Sequence, residues 1–317
     1  MAGTGPGMTN QNMRMHSASS QTAATLTGLA AVFMWSFLSL LTVASGTMPP
    51  FQLAAITFAI GGAIGVLSWP FRPGAARSLK QSPIVWLLGV GGLFGYHALY
   101  FAALRLAPPA EAQLFNYLWP LLIVLFSAFL PNEKLKAHHI LGVLLGLAGT
   151  LVLIAGMRGV EIRQEYIVGY ACALGAALAW SSYSVLSRPF RNVPSDAVAG
   201  FCLATSALSL ACHLLFERTV WPETALQWLA ILALGIFPVG LAFYAWDRGV
   251  KFGDIRALGA ASYAAPLLST ILLVVFGYAE PRWSLGLAAV LISLGGVVAA
   301  KEMFAKTRRA APDSSLS

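Results

Sequence analysis

One histidine, His97, lies within a long apolar stretch at residues 84–104. An ionisable or strongly polar side chain costs free energy in an apolar environment, so such a group is a candidate functional residue. On a helix, Tyr100 and Leu104 share its face. The imidazole can then bind an amino or a carboxylate group of a small ligand. The alternative is a structural histidine that bonds a neighbouring backbone carbonyl, and both interpretations stay open at this point.

A second polar group lies in the stretch 110–131, where Gln113, Asn116, Tyr117 and Pro120 fall on one helical face. Proline has no N–H and clashes with the carbonyl four residues earlier, so Pro120 frees the backbone carbonyl of Asn116. A freed carbonyl beside an amide side chain can accept hydrogen bonds from an ammonium group. The alternative is a packing kink with an interhelical hydrogen bond.

The same tyrosine–proline spacing recurs at Tyr263 and Pro266, in the stretch 256–278. Proline kinks at corresponding places in two halves of a chain suit a gating hinge. We therefore predict that Pro120 and Pro266 are hinges.

Three tryptophans lie deep within apolar stretches: Trp35, Trp119 and Trp180. Such residues either pack the interior or wall a pocket, where each ring pair contributes about 0.5–1.5 kcal/mol. We predict pocket walls for Trp35 and Trp180, because each precedes a serine and the two occupy corresponding places in the two halves. The complete set of predicted ligand-binding residues is Trp35, His97, Tyr100, Asn116, Tyr117, Trp119, Trp180, Tyr183, Ser184, Tyr244 and Tyr263.

The acidic residues are predicted to have ordinary structural roles. Glu111 begins the stretch 110–131, where a carboxylate complements a helix N-terminus. Asp247 is predicted to form a solvated ion pair with Arg248. Three residues of metal-binding type lie close together in the sequence, but they fall at a cytoplasmic connection and are predicted to be simply exposed: Glu133, His138 and His139. We predict no metal and no cofactor, since nucleotide-binding glycine loops and paired catalytic carboxylates are absent from the sequence.

The elements that position these residues are apolar helices. The chain is 58% hydrophobic and only 10% charged, with a mean hydropathy of +0.73, whereas a soluble domain has about 25% charged residues. About 20 apolar residues of helix cross a bilayer core. We predict an all-α membrane protein with ten transmembrane helices, at residues 23–44, 52–70, 84–104, 110–131, 138–156, 166–187, 196–216, 225–247, 256–278 and 284–303.

The basic residues are divided unequally between the connections. With connections on alternating sides, one side holds both tails and most of the 20 Lys and Arg residues. The other side holds only Arg105, Arg158, Arg163, Arg218 and Arg282. Positive residues stay in the cytoplasm, so we predict that both termini are cytoplasmic. The formal net charge of +8 forms no basic stripe interleaved with aromatic residues, so we predict no nucleic-acid partner.

The two halves of the chain repeat one pattern. Trp35 corresponds to Trp180, and Tyr117 corresponds to Tyr263 at a separation of 146 positions. Five helices per repeat is an odd number, so the second copy enters the membrane from the opposite side, as in many secondary transporters. The predicted organisation is a disordered cytoplasmic tail at 1–22, repeats at 23–157 and 166–303 joined by a periplasmic linker at 158–165, and a cytoplasmic tail at 304–317.

The Trp-Ser pair in the first helix of each repeat and the Glu after the fourth helix resemble the drug/metabolite transporter superfamily. The ten-helix EamA-type branch fits residues 23–303. Within it, the runs 95–104 and 116–120 are similar to the bacterial aromatic amino acid exporters. This resemblance implies a bacterial inner-membrane protein with a central cavity, lined by helices one, three, four, six, eight and nine and braced by the others.

The function implied is export of aromatic and bulky neutral amino acids by alternating access. No Asp or Glu lies near the middle of a predicted span, so we predict facilitated transport. The expected partners are the amino acid and the lipid bilayer, without an obligate protein partner. Two alternatives stay open. One is export of another small metabolite or drug, with or without proton coupling; the other is an integral membrane lipid-modifying enzyme.

Overall fold

The computed structural model describes residues 10–131, 134–157, 162–299 and 301. All regular secondary structure among these residues is helical. The α-helices are α1 Asn10–Trp35, α2 Leu38–Ala44, α3 Pro50–Ser68, α4 Pro83–Val90, α5 Tyr96–Leu106, α6 Pro109–Asn116, α7 Trp119–Ser127, α8 Ala137–Met157, α9 Ile167–Leu186, α10 Ala197–Phe216, α11 Ala225–Ile236, α12 Ala242–Phe252, α13 Ile255–Ala261, α14 Ala264–Val275 and α15 Trp283–Ala299. Short 3₁₀ turns occupy Trp69–Phe71, Ala75–Leu79 and Gln164–Tyr166.

Helix starts and stops follow from the local sequence. Pro50, Pro83 and Pro109 each occupy the first position of a helix, where the missing N–H is not needed. After α2 and α14 the chain turns at Gly46 (φ 86°) and Gly277 (φ 77°), a left-handed backbone conformation that is inexpensive only for glycine.

Each predicted apolar stretch coincides with one helix or with a broken run of helices. Among the described residues, eight helical units are long and apolar enough to cross a membrane, and the shorter apolar helix Trp283–Ala299 adds to them. Helix α9 has 20 residues and carries tryptophan, tyrosine and serines in its C-terminal half. Helix α1 begins at Asn10 and so includes residues 10–22 of the predicted tail; this part of the sequence contains neither Gly nor Pro.

Several of the apolar helical stretches are interrupted. Helices α1 and α2 are separated at Ser36–Phe37, α6 and α7 at Tyr117–Leu118, and α13 and α14 at Ser262–Tyr263. The latter two breaks lie just before Pro120 and Pro266, as the missing N–H of proline requires. Five-residue π-helical turns join α4 to α5 at Gly91–Gly95 and α11 to α12 at Phe237–Leu241. These two turns are 146 positions apart, which is the separation of Tyr117 and Tyr263.

The packing of helices is unchanged when the two halves of the chain are exchanged. Helix α3 packs on α10, α8 on α15, and α7 on α13, while α1 packs on α12 and α5 on α9. Glycines bring several pairs into close contact. A Cβ atom at Gly142 would lie 2.6 Å from the carbonyl oxygen of Gly295, and one at Gly61 would lie 3.0 Å from the Cα of Gly240, as expected for helices packed through small residues.

One end of the bundle is held together by Glu217, which follows α10. Its carboxylate accepts hydrogen bonds of 3.1 Å from the backbone N–H groups of Phe51 and Gln52 at the start of α3. It also pairs with Arg105 at the end of α5 and accepts from Nδ1 of His213, both at 3.1 Å. The connections after α2, α5 and α10 therefore meet at this end.

The other end is held by a different set of connections. Arg72, after α3, pairs with Asp196 at 2.6 Å, just before α10. Arg256 at the start of α13 donates to the carbonyl of Lys134, after α7, at 2.8 Å, and Lys251 near the end of α12 donates to the carbonyl of Val193 at 3.0 Å. Successive helical units therefore run in alternating directions between the two ends.

Candidate functional site

An aromatic cluster around Trp35 fills the centre of the molecule. The Trp35 ring centroid lies 5.6 Å from that of Trp180, 6.2 Å from Trp119, 5.0 Å from Trp246 and 6.2 Å from Phe243. Three of these contacts are edge-to-face, the geometry that ring quadrupoles favour. Helices α1, α7, α9 and α12 each contribute a ring, so the cluster joins both halves of the chain.

The break after α1 places Trp35 at the π-helical turn before α12. Its indole Nε1 donates to the carbonyl of Pro238 at 3.0 Å. A π-helical turn leaves carbonyls outside the normal ladder, and such turns are often found at functional sites. The hydrogen bond therefore orients the central tryptophan by means of a local irregularity in another helix.

His97 lies beside the cluster in an aromatic cage. Its ring centroid is 5.0 Å from that of Phe58, 5.1 Å from Tyr96, 5.9 Å from Phe101 and 6.4 Å from Phe243. Nδ1 lies 2.7 Å from the carbonyl oxygen of Leu93. A carbonyl only accepts, so Nδ1 carries the proton and Nε2 of the neutral ring presents a lone pair. The hydrogen bond expected for a structural histidine is present. It leaves Nε2 able to accept a hydrogen bond from a ligand.

Two amide side chains face two stacked tyrosines. The rings of Tyr96 and Tyr100 are 5.8 Å apart and nearly parallel. Gln113 Nε2 donates to the hydroxyl of Tyr100, and Asn116 Nδ2 donates to that of Tyr96 at 3.4 Å. The oxygens of both amides, Gln113 Oε1 and Asn116 Oδ1, are buried and have no hydrogen-bond partner among the described residues. Buried polar atoms are normally paired, so these two acceptors are suited to a ligand's N–H groups.

Other predicted residues serve the packing around the cluster. Tyr183 is buried and contacts Trp180 at 5.3 Å between centroids, and the hydroxyl of Ser184 accepts from Nε1 of Trp246 at 3.0 Å. Tyr244 donates to the carbonyl of Gly61 at 3.0 Å.

Tyr263 does not join the aromatic cluster. It is fully buried and donates to the carbonyl of Tyr117 at 3.1 Å, so the two helix breaks are bonded to each other. The ring of Tyr117 is half-buried.

The structure adds rings that the sequence interpretation missed: Phe58, Tyr96, Phe101, Phe243 and Trp246. The repeat itself contained a signal for two of them. Adding the separation of 146 to His97 and to Tyr100 leads to Phe243 and Trp246. The predicted residues that the cluster does bring together are Trp35, His97, Tyr100, Asn116, Trp119 and Trp180.

The prediction for Asp247 was wrong. Its Oδ2 pairs with Nζ of Lys251 at 2.9 Å and accepts from the hydroxyl of Ser195 at 2.6 Å, and Asp247 is 1% exposed. Helix α12 continues to Phe252, and the connection 187–196 covers its last turns. The connection 187–196, which is distant in sequence, therefore buries an aspartate that was predicted from its local sequence to be solvated.

The other acidic and histidine residues also differ from expectation in part. Glu111 lies in the first turn of α6, as predicted, and accepts a 2.6 Å hydrogen bond from Tyr170. His139 is buried rather than exposed, and its Nδ1 accepts from the backbone N–H of Lys136 at 3.2 Å, while Glu133 lies outside the described residues. Within the described part of the chain, no cluster of His, Cys, Asp and Glu is suited to a metal ion.

The duplicated architecture has a counterpart among known families. A model of the EamA-like transporter family matches residues 22–155 and again residues 167–300. The chain belongs to the EamA-like transporter family. The two matched regions correspond to the two predicted repeats, and the family assignment makes this a multi-pass membrane transporter.

Several EamA-like relatives match along nearly their whole length. The aromatic amino acid exporter YddG of Ancylobacter novellus is 56% identical over 281 residues, which is 88% of this chain and 98% of the relative. The protein of the same name from Escherichia coli is 26% identical over 295 residues, covering 87% of this chain and 96% of the relative. A biotin transporter of Salmonella typhimurium is 24% identical over 241 residues, covering 74% and 79%. A crystal structure that is 54% identical has a TM-score of 0.85 and covers 90% of this chain and 100% of its own.

Proposed function

We propose that this EamA-like transporter exports aromatic and bulky neutral amino acids across a bacterial inner membrane by alternating access. The observation that carries the proposal is a tryptophan-rich cluster joined through Tyr96 to amide side chains whose oxygens are unpaired among the described residues. The ring of Tyr96 lies 5.7 Å from that of Trp180, and its hydroxyl accepts from Asn116. An amino acid has the same division, with an apolar side chain on one side and an ammonium group on the other. The name of the Ancylobacter novellus relative supports the same substrate class.

In the proposed binding mode, each part of the substrate has a partner. The ammonium group donates to Gln113 Oε1 and Asn116 Oδ1, and to Nε2 of His97. The carboxylate accepts from the hydroxyls of Tyr96 and Tyr100, which otherwise receive only the amide donors. An aromatic side chain packs edge-to-face against the tryptophans, with about 0.5–1.5 kcal/mol per ring pair.

The proposed topology is ten crossings in two inverted repeats, with both termini cytoplasmic. Two observations support it. The connections meet alternately at the two ends of the bundle, and the helix packing is unchanged when the repeats are exchanged. The basic residues concentrated in the connections after α3, α7, α9 and α12 support a cytoplasmic location for that end.

The orientation has a direct test. After Cys172, Cys202 and Cys212 are replaced by serine, a single cysteine is placed at Gln164 or at Ala76, both of which are exposed. An impermeant thiol reagent added to intact cells should label the cysteine at 164 and not the one at 76. The opposite pattern, or equal labelling, would refute the orientation.

The proposed mode is facilitated transport in which the helix breaks before Pro120 and Pro266 act as hinges. Among the described residues, the buried carboxylate nearest the aromatic cluster is that of Asp247, and it is neutralised by Lys251. Among the described residues, this leaves no free carboxylate beside the cluster to exchange a proton for the substrate. Ligand binding then only changes the balance between states open to either side.

The alternatives make different predictions in one experiment. Purified protein in liposomes is tested with labelled phenylalanine, tryptophan and leucine, and with aspartate, lysine and biotin. We expect the first three to equilibrate and the charged amino acids to be excluded, because the cluster provides no counter-ion for a charged side chain. Movement of biotin alone would favour the metabolite alternative. No movement of any compound, with turnover of lipid instead, would favour the enzyme alternative.

A further inference from the structure

A cavity of about 330 Å³ lies beside the connection between α3 and α4. It shares no lining residue with the aromatic cluster, and its lining comes from the connections 69–82 and 187–196. The polar groups that line it are Arg72, Arg77, Ser78, Gln81 and Asp196.

The lining groups are suited to an anion with several oxygens. Arg72 pairs with Asp196 at 2.6 Å and donates to the hydroxyl of Ser68. Arg77 has no ion-pair partner among the described residues. The hydroxyl of Ser78 is buried in the same wall, and it too lacks a hydrogen-bond partner in the described part of the chain. Two guanidinium groups against one carboxylate leave a positive charge, and phosphate is an anion that the planar guanidinium fork binds bidentately.

The surroundings of the cavity indicate a lipid rather than a soluble anion. Large apolar side chains close in sequence to the lining residues, in α3, in the turn after it and in α4, are exposed: Leu67 is 72% exposed, Phe71 86%, Ile84 55% and Leu87 69%. Such residues on a membrane protein contact acyl chains. The cavity therefore lies where the basic connection meets the apolar belt, as basic pockets for anionic headgroups do.

We propose that this cavity binds the phosphodiester of an anionic phospholipid of the cytoplasmic leaflet. Arg77 and Arg72 hold the phosphate oxygens and Ser78 donates a hydrogen bond to one of them. The phosphate competes with Asp196 for Arg72. The assignment to the cytoplasmic leaflet rests on the proposed orientation, which the cysteine labelling tests separately.

The test counts retained lipid on the full-length protein in detergent by native mass spectrometry, so it depends on neither orientation nor transport. Phosphatidylglycerol and phosphatidylcholine of the same acyl chains are compared at equal concentration. We expect selective retention of phosphatidylglycerol. Arg77→Gln should lower it about fivefold, the effect of one basic residue near a lipid surface. Asp196→Asn should raise it, because the competing carboxylate is removed.

Arg248→Gln is the matched control, since Arg248 is an exposed arginine near the same end of the bundle and does not line the cavity; it should leave retention unchanged. Equal retention of the two lipids, or equal retention by Arg77→Gln and Arg248→Gln, would overturn the proposal. Full displacement by millimolar inorganic phosphate would also overturn it in favour of a soluble anion. Circular dichroism establishes that the variants are folded, and the opposite sign expected for Asp196→Asn cannot result from unfolding.

Discussion

The two repeats share a backbone plan and differ in the chemistry of their side chains. In each repeat a π-helical turn interrupts the third predicted span, at Gly91–Gly95 and Phe237–Leu241. A helix break also precedes the proline of the fourth span, at Pro120 and Pro266. At the site, however, the first repeat presents His97, Tyr100 and Asn116. The second repeat has phenylalanine, tryptophan and serine at the corresponding positions 243, 246 and 262. The duplicated fold therefore forms a site with one polar and one apolar half, which suits an amphipathic substrate.

The C-terminal ends of α5 and α12, which correspond in the two repeats, also differ in their side chains. Arg105 and Lys251 are at corresponding positions, and each pairs with a carboxylate. The side chain of Arg105 is 51% exposed, whereas that of Lys251 is 4% exposed. The bundle is thus closed more tightly at the end that carries Lys251. Equivalent positions in the two repeats therefore have unequal energetic importance.

The largest expected effect is on the buried ion pair. Asp247→Asn leaves Lys251 charged and buried without its partner, so the free energy of unfolding should fall by about 3–5 kcal/mol. Arg105→Gln, at the corresponding position of the other repeat, should cost at most about 1 kcal/mol, because Arg105 is half exposed and the buried Glu217 keeps its hydrogen bonds from Phe51 and Gln52. Denaturation in detergent measures both. If the double variant Asp247→Leu with Lys251→Met is no more stable than Asp247→Asn, the charge argument is incorrect.

The next effect concerns the polar half of the site. Asn116→Leu removes an acceptor for the substrate ammonium group, a charge-assisted hydrogen bond of about 1.5–3 kcal/mol, so affinity should fall roughly 10- to 100-fold. Its repeat mate provides the control, since the hydroxyl of Ser262 bonds only the carbonyl of Leu258 in its own helix. Ser262→Ala should bind normally. Similar losses in the two variants, measured by calorimetry with phenylalanine, would remove the proposed asymmetry.

A smaller effect is expected at the ring shared by both halves. Trp35→Phe keeps an aromatic side chain but loses the hydrogen bond to Pro238 and part of four ring contacts. We expect export of tryptophan to fall about two- to tenfold. Trp283→Phe changes a ring that is 75% exposed and serves as the control. Unchanged transport kinetics in a folded Trp35→Phe protein would exclude Trp35 from the binding site.

An effect of about the same size should follow from replacing His97 by its repeat mate. His97→Phe removes a neutral hydrogen-bond acceptor, so affinity should decrease by about two- to tenfold, and the substrate should still equilibrate between liposome lumen and bath. The decisive measurement is transport after a pH jump. Uphill accumulation in the wild type that is lost in His97→Phe would establish proton coupling through His97 and contradict facilitated transport.

Much of the fold was predictable because its causes are local. Apolar stretches of about 20 residues correspond to helices, and Pro120 and Pro266 lie just after the helix breaks. The family and the duplication were also correctly predicted from the Trp-Ser pairs and the constant separation of 146. Part of the proposed site could also be predicted from the sequence, because His97 and Asn116 are polar residues in apolar stretches.

The partners of each side chain were decided only by the tertiary structure. Tyr244 and Tyr263 resemble site residues in sequence, but their hydroxyls bond the backbone carbonyls of other helices. Asp247 was predicted from the sequence to be solvated, but in the fold the connection 187–196 covers it. The sequence by itself determined which residues form helices and where those helices break, because these properties depend on near neighbours along the chain. Burial, pairing and membership of the site depend on residues 50 to 200 positions away, and so they were decided by packing.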